Sequence, residues 1–395
     1  MNIAKLVAAF VRRKPLTWSF HVLALALGIA VITALAALDT GLANRFNRDL
    51  AGIDLVVGAK GSPLQLILSS VFQIEAPTGN IPLAAAQTLS RNMMVRRAVP
   101  VSMGDNVGGF RIVGTTPDYA ILYRAGLVQG RWWREPMEAV VGAAAARRLH
   151  LAVGQTFVGE HGLTRGGEQH RATPYTVVGV LKPTGAVIDR AVLTDTASVW
   201  KVHDHEDTGA PEPEKGREVT ALLVSYRSAM GAVMLPRLVA AQPNLQAASP
   251  AVEVAHLTQL LGTGADVLRG FGIGLLALSG LGFFVALFAA VNQRRRELAL
   301  LRALGARPRL VFALIALEGV ALGVLGGLCG VVLGRVAAAF AASASGNGGG
   351  PVIVLPPPGG PEAVILLAAV ALSLLASLAP GVIACRLHPM DALRS

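Results

Sequence analysis

The chain has 395 residues, of which 53% are hydrophobic and 15% are charged, and its mean hydropathy is +0.55. Soluble domains carry about 25% charged residues, so this composition excludes a largely disordered chain and argues against a soluble globular enzyme. The net charge of +11 would, taken alone, suggest a nucleic-acid partner, so the placement of the basic residues decides what the charge means.

Four apolar segments are long enough to cross a bilayer, which needs about 20 apolar residues in a helix. They span residues 16–38, 270–291, 310–336 and 363–385. The first could instead be a cleaved signal peptide, since Ala34-Leu35-Ala36 resembles a cleavage site. Its apolar run is too long for that, however, and Leu42 and Phe46 continue a helical stripe beyond it. We therefore predict four transmembrane helices, the first continuing as a stalk.

The basic residues lie beside these segments and on one side of the membrane. The flanking basic residues are Lys5, Arg12, Arg13, Lys14, Arg294, Arg295, Arg296, Arg302, Arg307, Arg309, Arg386 and Arg394. By the positive-inside rule, residues 1–15, 292–309 and 386–395 face the cytoplasm, whereas residues 39–269 and the short link 337–362 face outward. The positive charge therefore indicates membrane topology, and we expect no nucleic-acid partner.

The large segment 39–269, between the first and second transmembrane helices, has the pattern of an α+β domain. Its predicted strands are Ile53–Val57, Arg111–Val113, Ala139–Val141, Tyr175–Leu181 and Ala221–Tyr226, and its predicted helices are Ala143–Leu149 and Leu235–Ala241. Apolar residues recur at helical spacing over Val254–Leu268, which predicts a second stalk leading into the second transmembrane helix.

Motifs for catalysis are missing from the sequence. It contains no phosphate-binding loop, no Gly-x-Ser-x-Gly elbow and no His-Glu-x-x-His helix. The segment Gly58–Ser62 is rich in glycine but lacks the residue spacing of a phosphate-binding loop. His203 and His205 lie in an acidic segment that offers potential metal ligands, but a solvated loop tip explains them more simply. We therefore predict no catalytic, cofactor or metal site, and expect the energy for any transport to come from another subunit.

The cytoplasmic segment Arg296–Ala306 has the pattern of a short amphipathic helix. Leu298, Leu301 and Leu304 fall at helical spacing opposite the arginines, and Gly305 and Pro308 mark its end. Such a helix lying against the membrane suits docking of a cytosolic partner, and it also suits a simple positive-inside anchor. The two interpretations are compatible.

The third apolar segment carries small residues four apart, a spacing that lets helices approach closely. One register holds Gly319, Gly323 and Gly327, and the other holds Gly326, Gly330 and Gly334. Glu318 is an ionisable residue within the same segment, so it is either a functional group or a hydrogen-bonding partner of a neighbouring helix.

Together these features resemble a known family. Arg296–Ala306, Glu318, the glycine registers, Ala379-Pro380-Gly381 and His388–Arg394 resemble the FtsX-like permease domain of MacB-type ABC transporters. The outer segments Val113–Pro117, Leu127–Arg131, Val140–Gly142, Ala145–Thr156 and Val177–Val180 resemble the MacB periplasmic core domain. Lipoprotein-releasing LolC/LolE-like proteins are relatives of the same kind.

The resemblance implies a multi-pass permease of the bacterial inner membrane, paired with a second permease copy and with a cytosolic ABC-type ATPase that binds the ATP. Because MacB carries its ATPase at the N-terminus and this chain begins at its first span, we expect a separate ATPase polypeptide. The resemblance assigns ATPase coupling to Arg296, Glu297, Leu298, Leu301, Arg302, Leu304 and Gly305.

The resemblance also implies mechanotransmission, in which ATP binding moves the outer domain. Further expected partners are membrane lipid and a periplasmic adaptor or substrate protein. The substrate does not carry over, because family members serve lipoprotein release, efflux and hydrolase control. The alternatives are a non-transporting, FtsX-like signalling protein that activates a partner such as a cell-wall hydrolase and, more weakly, a membrane-anchored enzyme.

Overall fold

The computed structural model describes residues 15–162, 166–207, 216–293, 307–347 and 353–386. Its α-helices are α1 (Pro15–Asp49), α2 (Pro63–Ser70), α3 (Leu83–Ser90), α4 (Asp118–Leu122), α5 (Ala143–Leu149), α6 (Thr196–Asp207), α7 (Ala229–Ala240), α8 (Pro250–Gln293), α9 (Pro308–Asn347) and α10 (Gly360–Arg386). Its strands are β1 (Leu55–Ala59), β2 (Ile81–Pro82), β3 (Val95–Val107), β4 (Phe110–Thr115), β5 (Leu127–Gly130), β6 (Glu138–Val141), β7 (Thr156–Phe157), β8 (Glu160–His161), β9 (Tyr175–Leu181), β10 (Ala191–Asp195), β11 (Glu218–Val219), β12 (Ala221–Tyr226) and β13 (Leu245–Ala248).

The chain divides into two compact units. The outer unit is built from residues 43–260, and the membrane unit from the described residues up to 42 and from 261 onward. Helices α1 and α8 each belong to both units, since the boundaries fall within them.

Four helices of the described residues are long and apolar enough to cross a membrane, which confirms the predicted fold class. They lie in α1, α8, α9 and α10. Helices α1 and α8 extend well past the predicted spans, as stalks would, whereas α9 continues to Asn347 through residues predicted as the link. Pro380 lies inside α10 without ending it.

The outer unit is built on one large mixed sheet. Its strand order is β13-β1-β12-β3-β4-β10-β6-β9-β5, with β7 added to β9 and β8 to β3. Strands β4 and β10 are parallel, as are β6 and β9, and the other pairs are antiparallel. Strands β2 and β11 form a separate two-stranded sheet.

Both faces of the sheet are buried at its centre. Successive side chains of a strand point to opposite faces, and in β12 Leu223 joins one hydrophobic cluster while Leu222 and Val224 join another. Val56 of β1 lies in the first cluster, and Leu55 in the second. This explains why these strands are continuous apolar runs in the sequence.

Several predicted elements of the outer unit have their predicted bounds, namely β9, β12 and α5. Others differ: α7 begins at Ala229 rather than Leu235, and β1 begins two residues later than predicted. The prediction of a loop tip at His203–Asp207 is wrong for the backbone, because α6 continues to Asp207. The side chains of His203 and His205 lie outside the described residues.

The β5–β6 connection is held by an exposed ion pair whose effect depends on pH. The Glu138 carboxylate accepts a hydrogen bond from the Arg131 guanidinium at 2.7 Å and another from the Arg134 backbone at 2.8 Å. These bonds lower the pKa of Glu138 from 4.5 to about 2. The pair therefore stabilises the fold above pH 4.5, and this contribution is lost as the pH falls toward about 2.

We expect the melting temperature of the wild type to fall more steeply across that pH interval than the melting temperature of a Glu138→Gln variant. The amide keeps the size of the side chain but does not titrate, so the difference between the two acid profiles isolates this group. Parallel profiles would contradict the assignment.

Candidate functional site

Helix α9 packs against α10 through the first glycine register. A Cβ added at Gly319 would lie 2.8 Å from the Ser373 carbonyl oxygen, and one at Gly323 would lie 2.7 Å from the Val370 Cα atom. At Gly327 the added atom would lie 2.5 Å from the side chain of Leu366. Only glycine allows this separation, so the register sets the distance between the two helices.

The second register packs against α1. A Cβ at Gly326 would lie 2.7 Å from the side chain of Leu25, and one at Gly330 would lie 2.6 Å from the Ile29 Cβ atom. At Gly334 the added atom would lie 2.5 Å from the Ala30 carbonyl oxygen. Helix α9 is therefore packed between α1 and α10, with one glycine register for each.

The side chain of Glu318, a residue of α9, contacts α1. The Trp18 Nε1 atom donates a hydrogen bond of 3.3 Å to its Oε1 atom. The structure thus contains the interhelical hydrogen bond that was one of the two predicted roles of Glu318.

Helix α1 also contacts α8 along its length. His21 is 9% exposed, and its ring centroid lies 5.9 Å from that of Phe283. At Gly28 a Cβ would lie 2.9 Å from the Leu276 side chain. Toward the outer end of the membrane unit, the Arg269 guanidinium forms ion pairs with Asp39 of α1 and with Asp266 of its own helix. Sequence reasoning did not single out this pairing, because Asp39 and Arg269 are far apart in the chain.

A second ion pair joins the outer ends of α9 and α10. Arg335 lies 3.6 Å from Glu362, and the two side chains are 16% and 14% exposed. Arg335 also donates a hydrogen bond of 2.8 Å to the Pro356 carbonyl oxygen. The segment before α10 is therefore tied to α9.

Within the outer unit, the end of α1 carries a buried ion pair and is anchored by contacts of Asp49 and Phe46 with other elements. The Arg45 Nε atom lies 3.1 Å from the Asp49 Oδ2 atom, and the two side chains are 6% and 0% exposed. Asp49 also accepts a hydrogen bond of 2.7 Å from the Val187 backbone. Phe46, one turn earlier, packs against Phe72 with the ring centroids 5.2 Å apart.

The residues assigned to ATPase coupling, Arg296–Gly305, lie outside the described residues. Their role stays a prediction. The structure does describe the two helices that flank them, α8 ending at Gln293 and α9 beginning at Pro308.

Both the outer unit and the membrane unit are similar to known protein families. The family model of the MacB-like periplasmic core domain matches residues 19–234, and that of the FtsX-like permease C-terminal region matches residues 269–389. Among solved structures, the periplasmic region of MacB from Actinobacillus actinomycetemcomitans is similar at 13% identity and a TM-score of 0.37, covering 53% of this chain and 95% of that one.

Two curated proteins illustrate the similarity over about four fifths of the chain. The pyoverdine export ATP-binding/permease protein PvdT of Pseudomonas savastanoi pv. phaseolicola is 24% identical over 329 residues, 79% of this chain and 48% of that protein. The macrolide export ATP-binding/permease protein MacB of Bdellovibrio bacteriovorus is 21% identical over 337 residues, 79% and 50% respectively. The chain thus spans about half the length of the curated relatives it matches.

The periplasmic core model alone covers more than half of the residues, and the permease model covers the remaining membrane helices. The four apolar helices, with a mixed α/β domain between the first two, agree with this pair of matches. The chain therefore belongs to the family of MacB-like, FtsX-like ABC transporter permeases.

Proposed function

We propose that this permease couples ATP binding and hydrolysis by a separate ABC-type ATPase subunit to movement of its periplasmic domain, and so exports or extracts a periplasmic or membrane substrate. The observation that carries the proposal is that α1 and α8 each run without a break from the membrane unit into the outer unit. A continuous helix keeps its backbone hydrogen bonds throughout, so displacement at one end reaches the other.

The contacts of the two helices support this role. Helix α1 lies against α8 and α9 in the membrane unit and ends in a buried ion pair in the outer unit. The Asp39–Arg269 pair joins α1 to α8, so the two helices are linked in the membrane unit as well. A displacement of α9 or α8 would therefore be transferred to α1.

The proposed partners follow from the same features. The cytoplasmic segment Arg296–Gly305 would contact the ATPase, and the N- and C-termini would face the cytoplasm of a bacterial inner membrane. In the most apolar stretch of α8, 17% of the residues are buried against the rest of the described chain. The exposure of the others supports contact with lipid and with a second permease copy. ATP would be bound by the partner, since the sequence has no phosphate-binding loop.

Partner binding is tested by co-purification. We expect an ABC-type ATPase to co-purify with the wild type and to be lost when Leu301 or Leu304 is replaced by aspartate, because a charge on the apolar face would prevent docking. Leu325→Asp is not a suitable control, because it would place a charge in the membrane. Arg307→Gln changes an exposed residue outside the assigned coupling set and should retain the partner. Unchanged co-purification in the aspartate variants would contradict the assigned coupling segment.

Mechanical coupling is tested at Gly264 in α8, where an added Cβ would meet nothing within 4 Å. We expect Gly264→Pro to leave binding of the ATPase subunit intact but to stop ATP binding from moving the outer unit. Proline inside a helix removes a hydrogen bond, costs about 3 kcal/mol or more, and kinks or breaks the helix. Gly264→Ala is the matched control, since alanine favours the helix and fits the same space.

The measurement uses the complete complex in lipid nanodiscs. A spin label is placed at Met93→Cys, which is 83% exposed in the outer unit, after Cys329 and Cys385 are replaced by serine. Label-to-label distances are compared with and without ATP and vanadate. The wild type and Gly264→Ala should show a nucleotide-dependent change that Gly264→Pro lacks. An equal change in the proline variant would overturn mechanotransmission through α8.

Transport and signalling predict different results in cells. If the protein is an exporter, its deletion should stop the export of a molecule, which the cell then retains. If it is a signalling protein, its deletion should change cell-wall hydrolysis with no molecule retained. A hydrolysis defect without a retained molecule would favour the FtsX-like alternative.

A further inference from the structure

A cluster of three metal-binding side chains lies in the outer unit, away from the membrane helices. Asp105, His161 and His170 each offer a ligand atom, and these atoms all lie within 4.8 Å of one another. The sequence does not reveal the cluster, because Asp105 is more than fifty residues from either histidine and no spacing motif joins them.

The fold brings the three residues together through backbone pairing. Asp105 of β3 lies opposite His161 of β8 in the antiparallel register. The His161 backbone donates a hydrogen bond of 2.7 Å to the Glu168 carbonyl oxygen, and the His170 backbone donates one of 3.0 Å to that of Gly159. The neighbouring Asn106 side chain donates to the carbonyl oxygens of Glu160 and Gly162. The ligand positions are therefore fixed by main-chain contacts.

The distances suit a small divalent ion. The Asp105 Oδ1 atom lies 3.2 Å from the His170 Nε2 atom and 3.5 Å from the His161 Nδ1 atom. In a tetrahedral zinc site, with bonds of about 2.0–2.1 Å, the ligand atoms lie about 3.3 Å from one another. Two of the three separations already match this value, and the third is at most 4.8 Å, a distance that a shift of the exposed His161 ring can adjust.

The burial of the cluster suits the same chemistry. The side chains of Asp105 and His170 are 1% and 4% exposed, whereas that of His161 is 55% exposed. A buried carboxylate is either paired or coordinates a metal, and here the Asp105 carboxylate faces two imidazoles and is hydrogen-bonded to that of His170 at 3.2 Å, a contact that a bound cation would replace. The exposed His161 leaves a path from solvent and allows its ring to move without disturbing the core.

We propose that Asp105, His161 and His170 bind a divalent transition-metal ion, expected to be Zn²⁺, with the fourth position open to water. Two imidazoles and one carboxylate form a ligand set that zinc accepts. The ion would tie β8 and the segment before β9 to the central strand β3. This site does not depend on the proposed transport function.

The test uses the full chain, purified with a tag that contains no histidine and stripped with EDTA. We expect one Zn²⁺ per chain by mass spectrometry, a visible absorption band with Co²⁺ in its place, and a melting temperature that rises with zinc concentration. Failure to retain stoichiometric zinc after gel filtration, together with no thermal shift, would overturn the proposal.

Variants locate the site. His161→Ala removes an exposed ligand, so the chain should fold, and we expect its zinc affinity to fall by at least about tenfold, given that even outer partners of metal ligands are worth 10–100-fold. Asp105→Asn keeps the side-chain shape and should weaken zinc binding similarly. His150→Asn is the matched control, because His150 is exposed, lies in the same unit, and has a positive φ of 55° that asparagine tolerates.

A second histidine pair must be distinguished. A His203→Ala/His205→Ala double variant should bind zinc as tightly as the wild type. If this variant loses binding while His161→Ala keeps it, the metal site belongs to α6 and the proposal fails. The melting temperature of each variant without metal checks that loss of zinc is not loss of fold.

Discussion

A Gly330→Leu variant is expected to lose stable packing between α9 and α1 and to accumulate poorly in the membrane. The added Cβ would lie 2.6 Å from the Ile29 Cβ atom and 2.8 Å from the Ala26 carbonyl oxygen. These atoms cannot move aside as the end of a flexible side chain can, so the helices must separate. Overpacking of this kind typically costs about 1–3 kcal/mol, and more when backbones collide.

The matched control is Gly274→Leu in α8, where an added Cβ meets nothing within 4 Å. Both variants exchange glycine for leucine inside an apolar helix, so they differ in the contact and not in hydrophobicity. Membrane yield, monodispersity in detergent and thermal aggregation midpoint should fall for Gly330→Leu and stay near wild type for Gly274→Leu. Equal stability of the two would contradict the α1–α9 contact.

Asp49→Asn is expected to destabilise the outer unit strongly. The substitution keeps the size of the side chain and an oxygen that can accept from Val187, but it replaces the carboxylate that pairs with the buried Arg45 guanidinium by a neutral amide. Breaking a buried ion pair by removing one of its charges costs about 3–5 kcal/mol. Tryptophan fluorescence during thermal unfolding, measured in a Trp18→Phe background, reports the outer unit, which contains Trp132, Trp133 and Trp200.

Asp118→Asn provides the comparison. Its partner Arg97 lies 3.9 Å away, and the two side chains are 52% and 33% exposed. An exposed pair contributes about 0–1 kcal/mol, so this variant should melt close to the wild type. A similar melting temperature for the two asparagine variants would show that the buried Arg45–Asp49 pair does not stabilise the outer unit.

Local patterns predicted part of the outer unit accurately. Strands β9 and β12 are apolar runs bounded by turn residues, and α5 lies between a glycine and His150, so their ends are visible in the sequence. Strand β3 was missed because Arg96, Arg97 and Pro100 interrupt its apolar residues. Its pairing with β12 and β4, which no local pattern shows, overrides that weak propensity.

Of the candidate site, too, the sequence predicted the local features but not the contacts between distant residues. Helical spacing predicted both glycine registers of α9, because four-residue spacing is a local property. It could not show that one register contacts α10 and the other α1, since the partner depends on how distant helices meet. The Asp39–Arg269 and Asp105–His161–His170 contacts join residues whose approach is set by packing or by strand register.

The glycine contacts of α1 also determine which motions this helix can transmit. Three successive turns of α9 lie in close contact with α1 through Gly326, Gly330 and Gly334. Rotation of α1 about its axis would therefore drive its side chains into the α9 backbone. At its other end, rotation would pull Arg45 and Asp49 out of the core. With 35 residues at 1.5 Å each, α1 is about 52 Å long. These contacts oppose its rotation about its own axis near both ends. Under the coupling proposed above, α1 would therefore transmit axial displacement and tilt rather than rotation about its own axis.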